Sequence, residues 1–272
     1  MTFKNLRLFR RGTWADLFLA EVVGSEQTVV IKIFRAVNDS SMRKIFLREL
    51  KVVTKRFHSH VLQALCFHVT PEQAYYVMPY FSRGVLTPYA GKMNHEQLRA
   101  AAKQICEGIA AMHQHDVIHG DIKPDNLMVT GDGNLQVGDP LGNGAGCTIM
   151  YNENSGGTPG YWAPEIAGAR GPMSKPGDVF SIGATLYHLA TGIRPQDGIN
   201  LDPWTVSAHV PACIRKMILA ATRTNPTERP TAAQLLLALN GNMSALESPS
   251  NKLAVALLAM GGLVLVASLF GK

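Results

Sequence analysis

His119-Gly120-Asp121-Ile122-Lys123-Pro124-Asp125-Asn126, followed at a distance by the lone acid Asp139, is the stretch that decides how this chain is read. It offers a carboxylate that can accept a proton, a cation that can meet a phosphate, and two oxygen donors suited to Mg²⁺. Phosphoryl transfer asks for little more, because its catalysis is positioning and charge neutralisation. Asp121, Lys123, Asn126 and Asp139 could fill those roles. Taken alone, an Asp-x-Lys-Pro turn is weak evidence, since a polar turn after a helix would look the same. The partners have to come from elsewhere in the chain.

Upstream, Gln27-Thr28-Val29-Val30-Ile31-Lys32-Ile33-Phe34 is a β-branched run with one lysine inside it. A lysine there is costly unless it reaches solvent or a partner. Glu49, in Phe46-Leu47-Arg48-Glu49-Leu50, is the candidate partner; its helix is expected to start near Ser40 or Ser41, either of which could cap it, and to run to about Phe57. Phe3 to Phe9 and Ala15 to Val23 read as strands around the turn Arg10-Arg11-Gly12-Thr13-Trp14. Ala74 to Met78 reads as a strand leading into Pro79-Tyr80-Phe81. From His95 to His115 the residues Leu98, Ala102, Ile105, Ile109 and Met112 recur at steps of four and three, which predicts an amphipathic helix delivering the chain to the opening stretch. Leu127 to Val129 and Leu135 to Val137 read as short strands around Gly131-Asp132-Gly133.

This ordered set resembles the serine/threonine protein kinases, whose catalytic loop reads His-Arg-Asp-x-Lys-Pro-x-x-Asn. The resemblance extends over roughly residues 3 to 240. It implies an α+β, two-lobed protein kinase fold over 3–243, with a small β-rich N-lobe to about 79 and a larger helical C-lobe from about 82. It implies ATP and Mg²⁺ as cofactors, Asp121 as catalytic base, Lys123 at the γ-phosphate, and Asn126 and Asp139 as metal ligands. Lys32 would hold the α- and β-phosphates and pair with Glu49, while Phe9, Gly12, Leu17 and Phe81 would line the nucleotide site. Pro79 would offer its carbonyl to adenine and Phe81 its N–H, with Met78 at the back of the pocket. Gly156-Gly157-Thr158-Pro159-Gly160-Tyr161-Trp162-Ala163-Pro164-Glu165 resembles the end of an activation segment. Thr158 there would bond the catalytic Asp and Lys and favour serine or threonine on protein substrates. Glu165 would form a buried ion pair with Arg229, and Asp178 would brace the catalytic loop.

Three departures from the pattern bear on activity. Gly120 stands where many kinases carry an arginine that reads a phosphate on the activation loop, so control by that route is not expected; Thr148 and Ser155 remain candidate phosphosites without an evident reader. Pro140 and Leu141 replace the Phe and Gly after the metal-binding Asp, and proline is expected to push Asp139 towards an extended conformation, with Gly142 restoring freedom beyond it. Of three positions in the phosphate-covering glycine loop, filled here by Arg10, Gly12 and Ala15, only Gly12 matches; it should let backbone approach a phosphate closely.

At 272 residues the chain can bury a full core. Its net charge of +6 is scattered without a basic run, which argues against nucleic acid as a partner. Four separated cysteines make no Cys-x-x-Cys pair, so reduced cytosolic thiols are expected, and Met1 to Arg7 has no apolar core of signal-peptide length. Leu253 to Phe270 carries no charge and as a helix would span about 27 Å, nearly a bilayer core. With 244–252 as a polar linker, 253–270 is expected to be a transmembrane helix tethering the domain, single-pass, with the kinase domain in the cytoplasm where ATP is found. Together these features resemble a bacterial kinase of the eukaryotic-like type, which would place it in the inner membrane.

Two other readings compete with an active protein kinase. One is a pseudokinase or ATP-binding adaptor working through protein contacts, disfavoured because every reacting group is present. The other is a kinase-fold enzyme for small molecules, disfavoured by Thr158 and Ala163-Pro164-Glu165, which resemble a peptide-docking surface.

Overall fold

Alternation of apolar side chains builds the first third of the chain into a two-faced sheet. A computed structural model of the protein describes residues 1–12, 14–140, 143–144, 160–167, 171–196, 201–202 and 210–247. Strands β1 (Phe3–Arg11), β2 (Ala15–Val22), β3 (Thr28–Phe34), β4 (Cys66–Val69) and β5 (Ala74–Pro79) pair antiparallel in the order β1-β2-β3-β5-β4. On β3, Val30 and Phe34 face one way, into a cluster with Phe46, Leu50 and Val53 of helix α1 (Ser40–Val53). Val29 and Ile31 face the other way, against Ala20 and Val77. Burial on both faces explains why β3 reads as a continuous apolar run.

Helix α1 differs from expectation at both ends. Its cap is Asp39, whose carboxylate accepts from the N–H groups of Ser41 and Met42 at 2.9 and 3.0 Å, so neither Ser40 nor Ser41 does the capping. It ends at Val53 with Thr54 as its C-cap, and Phe57, the expected end, packs instead on the C-lobe beside His115, with ring centroids 5.5 Å apart.

The second lobe is organised by helix α4 (Lys175–Thr191), which is buried continuously from Gly177 to Leu189 because its sequence is apolar on nearly every side. Ser174 caps its start and Gly192, at φ 75°, closes its end. Helix α2 (His95–Gln114) opens with an Asn94/Gln97 capping box and buries the expected stripe of Leu98, Ala102, Ile105, Ile109 and Met112. Helices α5 (Ala212–Ala221) and α6 (Ala232–Leu239) complete the packing. Between α2 and α4 lie the short strands β6 (Val117–Ile118) and β9 (Asn143–Gly144), which pair with each other, and β7 (Leu127–Val129) and β8 (Leu135–Val137), which do the same. Helix α3 (Pro164–Ala167) is a single turn. The stretch from His119 to Asn126 lies in the connection between β6 and β7.

The start of the expected linker needs correction. Met243–Leu246 forms a 3₁₀ turn with Ala245 and Leu246 buried, and Arg223 donates to the Leu246 carbonyl at 2.9 Å, so these residues belong to the packed lobe. The proposed span 253–270 lies outside the described residues, as do Thr148, Ser155 and Thr158. Among the described residues no helix is long and apolar enough to cross a membrane.

Candidate active site

The loop from His119 to Asn126 is held mainly through its backbone. Asp178, near the start of buried α4, accepts from the N–H groups of His119 and Gly120, both at 2.8 Å, and lies 2.8 Å from His113 Nε2. Trp162 Nε1 donates to the Gly120 carbonyl at 3.2 Å, and Thr185 Oγ1 donates to that of Ile122 at 3.2 Å. Gly120 has φ 82°, a left-handed conformation glycine adopts without strain. His119 is almost wholly buried, and burial lowers its pKa. The neutral ring fits its contacts: Nδ1 accepts from the Asp121 N–H at 3.2 Å, and Nε2 donates to the Gly138 carbonyl at 3.0 Å.

On this frame sit the candidate reacting groups. Asp121 Oδ2 accepts from Asn126 Nδ2 at 2.8 Å and lies 2.7 Å from Lys123 Nζ. Asn126 Nδ2 also reaches the Asp121 carbonyl at 2.8 Å, so its amide oxygen is the atom suited to a cation. Burial raises the Asp121 carboxyl above its ordinary value, with the Lys123 ammonium pulling the other way. The result is a more basic carboxylate, as a proton acceptor requires.

The N-lobe contributes Lys32 at the middle of the sheet. Its Nζ lies 2.6 Å from Glu49 Oε1 on α1 and is bonded to Asp139 Oδ1 from the C-lobe. Burial works against the charge on Lys32, but the carboxylates of Asp139 and Glu49 hold its pKa well above the ordinary value. For Asp139, whose side chain is half exposed, desolvation opposes ionisation, and Lys32 together with Lys123 and His119 holds the carboxyl below its usual range. Asp139 corrects one expectation: φ is 57°, left-handed rather than extended. A following proline disfavours that geometry, and the bond to Lys32 offsets the cost; aspartate is among the residues that tolerate it. Mg²⁺ is commonly bound through one or two carboxylates together with substrate phosphates. The Asp139 carboxylate and the Asn126 amide oxygen, both hard donors, fit that ion.

The remaining nucleotide candidates gather where the lobes join. Leu17 pairs with Lys32 across β2 and β3, and it packs with Phe81 and Met128 against the N-lobe core. Met78 is buried in the same cluster. Phe9 is exposed and meets the Tyr80 ring edge-on at 6.3 Å, linking β1 to the segment joining the lobes. Gly12 departs from its expected role. Its N–H donates to the Ala15 carbonyl at 3.0 Å and its carbonyl accepts from Arg35 Nη2, so the turn closes on itself instead of presenting that N–H to a phosphate.

A family model described as "Protein kinase domain" matches residues 3–238. The chain belongs to the protein kinase family. Among curated relatives, this kinase domain is 28% identical over 254 residues to the serine/threonine protein kinase OSK3 of Oryza sativa, covering 85% of this chain and 49% of that protein. It is 29% identical over 252 residues to the serine/threonine-protein kinase PrkC of Bacillus subtilis, covering 85% of this chain and 39% of that one. The chain thus spans less than half the length of these relatives.

Two scaffold pairs of the kinase domain are formed. Arg229 grips Glu165 with two bonds of 2.6 and 2.8 Å, its side chain fully buried. Asp178 braces the loop as described. Sequence reasoning missed Trp162 and Thr185, which hold loop carbonyls, and Tyr76, whose hydroxyl bonds Glu49. Only Tyr76 left a readable signal: on β5 it alternates with Ala74 and Met78, both core residues.

Proposed function

We propose that this chain is an ATP- and Mg²⁺-dependent serine/threonine protein kinase, tethered to a membrane by residues 253–270 with its catalytic domain in the cytoplasm. The observation that carries the catalytic part is the convergence of two charge groups from distant parts of the sequence. Lys32, Glu49 and Asp139 make one, and Asp121, Lys123 and Asn126 make the other. Asp121 would take the proton of the attacking serine or threonine hydroxyl as the new oxygen–phosphorus bond forms and the bond to the leaving ADP oxygen breaks. Lys123 would balance charge on the moving phosphoryl group, and Lys32, fixed by Glu49, would orient the other phosphates. Magnesium, when bound, neutralises charge on the phosphate oxygens. Asp139 and Asn126 would hold it. The Asp-x-Lys-Pro sequence and the names of the relatives support serine or threonine as acceptor. The uncharged stretch 253–270 supports the tether.

One observation favours the second reading, an ATP-binding adaptor without transfer activity: Gly12 closes its own turn and so withdraws an N–H from phosphate binding. Incubation of the full chain with Mg-ATP and a generic basic protein separates the two, with Asp121→Ala as control and phosphosites mapped by mass spectrometry. Labelling of serine and threonine by wild type alone supports the kinase. A folded wild type that labels nothing supports the adaptor.

A further inference from the structure

The Lys32–Glu49 pair has a third member that phosphoryl transfer does not use. Tyr76 is buried, and its hydroxyl donates to Glu49 Oε1 at 2.5 Å, the same oxygen that lies 2.6 Å from Lys32 Nζ. The strand register explains the meeting: Lys32 and Tyr76 are direct partners across β3 and β5, and both belong to the face that packs on α1. Directly paired residues point to the same side of a sheet. Aromatic packing fixes the phenol. Its ring lies 6.2 Å from that of Phe34, which in turn packs at 4.8 Å against Phe46 of α1, and the Lys32 ammonium sits 5.8 Å from the Tyr76 ring.

Glu49 therefore ties α1 to two neighbouring strands at once. Burial raises its carboxyl, and the hydrogen bonds from Lys32 and Tyr76 oppose that rise and favour the ionised form. Moving α1 away from the sheet would leave a buried hydroxyl and a buried ammonium short of their shared acceptor, which is costly. In the catalytic loop, Gly120 supplies no side-chain cation to couple this arrangement to a phosphate.

We propose that Tyr76 is a positioning residue that latches α1 to the sheet through Glu49, keeping Lys32 assembled for nucleotide without a phosphate reader in the catalytic loop. The kinetic consequence rests on the kinase function proposed above; the latch itself does not. The test uses full-length wild type, Tyr76→Phe, Glu49→Gln and the double variant. Tyr76→Phe keeps the ring and its packing but removes the donor. Amide hydrogen exchange over residues 40–53 should quicken about tenfold or more in Tyr76→Phe, with α2 unchanged as internal reference. The kcat/KM for ATP should fall about tenfold to a hundredfold, expressed more in KM than in kcat. In the Glu49→Gln background the same change should do almost nothing further, because the hydroxyl has lost its charged acceptor. Unchanged exchange in α1, or an equal loss on both backgrounds, overturns the latch. A folded wild type without transferase activity overturns the kinase reading instead, while the exchange comparison still decides the latch.

Discussion

Asp121 stands on a loop whose backbone is pinned by a buried helix, whereas Lys32 stands on a strand and is aimed by side chains alone. On the C-lobe side, Asp178, Thr185 and Trp162 bond main-chain N–H and C=O groups, so the loop path rests mainly on residues outside the site, with Asn126 on the Asp121 carbonyl the exception. On the N-lobe side, Glu49 and Asp139 converge on one ammonium while Tyr76 holds Glu49, and both carboxylates come from elements that could move relative to β3. Substitution should therefore change chemistry with little change of geometry on the first side. On the second side it should change geometry and chemistry together.

The largest effect is expected at Asp121. Asp121→Asn removes the proposed proton acceptor while its neighbours stay in place, and kcat should fall by roughly 10²–10⁴. Folding should not suffer. The folded-state pKa of Asp121 is raised, so ionisation costs stability as pH climbs from the unfolded value through the folded one. The variant escapes that cost, so its melting temperature should gain on wild type as pH climbs from acid to neutral. The difference should vanish in acid, where the wild-type carboxyl is protonated in both states. For the same reason, the acid limb of the wild-type kcat/KM profile should lie above the ordinary aspartate range. A large loss of stability in Asp121→Asn at neutral pH would show that the side chain, and not the backbone frame, holds the loop.

Lys32→Met comes next. It removes the proposed phosphate donor and also leaves Glu49 buried without its cation, so kcat/KM for ATP should fall about a hundredfold. Here the melting temperature should drop as well, because a buried carboxylate loses its partner. Calorimetry of the two variants side by side checks the contrast: activity lost without stability at Asp121, both lost at Lys32.

How far the sequence revealed this site follows the same division. Asp121, Lys123 and Asn126 were legible because a loop pinned through its backbone keeps its residues at fixed spacing, and spacing is visible in one dimension; Asp178, far off on α4, was legible only through the family resemblance. Lys32 and Glu49 were legible because a charge inside an apolar run requires a partner. Tyr76 was not, although its alternation with Ala74 and Met78 gave its face, because pairing with Lys32 depends on the β3–β5 register, which joins strands separated by α1 and β4. Asp139 was found but its conformation was misjudged. Local proline sterics argue for extended backbone, and a tertiary bond to Lys32 overrides them. Asp39 escaped notice as a cap because two serines beside it carry the same propensity.

The smallest effect should come from Gly12, and it probes the nucleotide side most finely. A Cβ built there would lie 2.6 Å from the Ala15 carbonyl oxygen, a backbone atom that cannot swing aside. Gly12→Ala must therefore shift the β1–β2 turn, stretching the Gly12–Ala15 hydrogen bond and disturbing the Arg35 contact at the same carbonyl. If the closed turn is how this kinase domain covers the phosphates, the distortion should raise KM for ATP about fivefold, worth about 1 kcal/mol, with kcat nearly constant. If opening the turn instead frees an N–H for a phosphate, KM should fall. The sign of that change, measured at saturating protein substrate, decides whether the glycine serves the hairpin or the nucleotide. It also tests whether the N-lobe side of the cleft is as dependent on local geometry as its side-chain contacts imply.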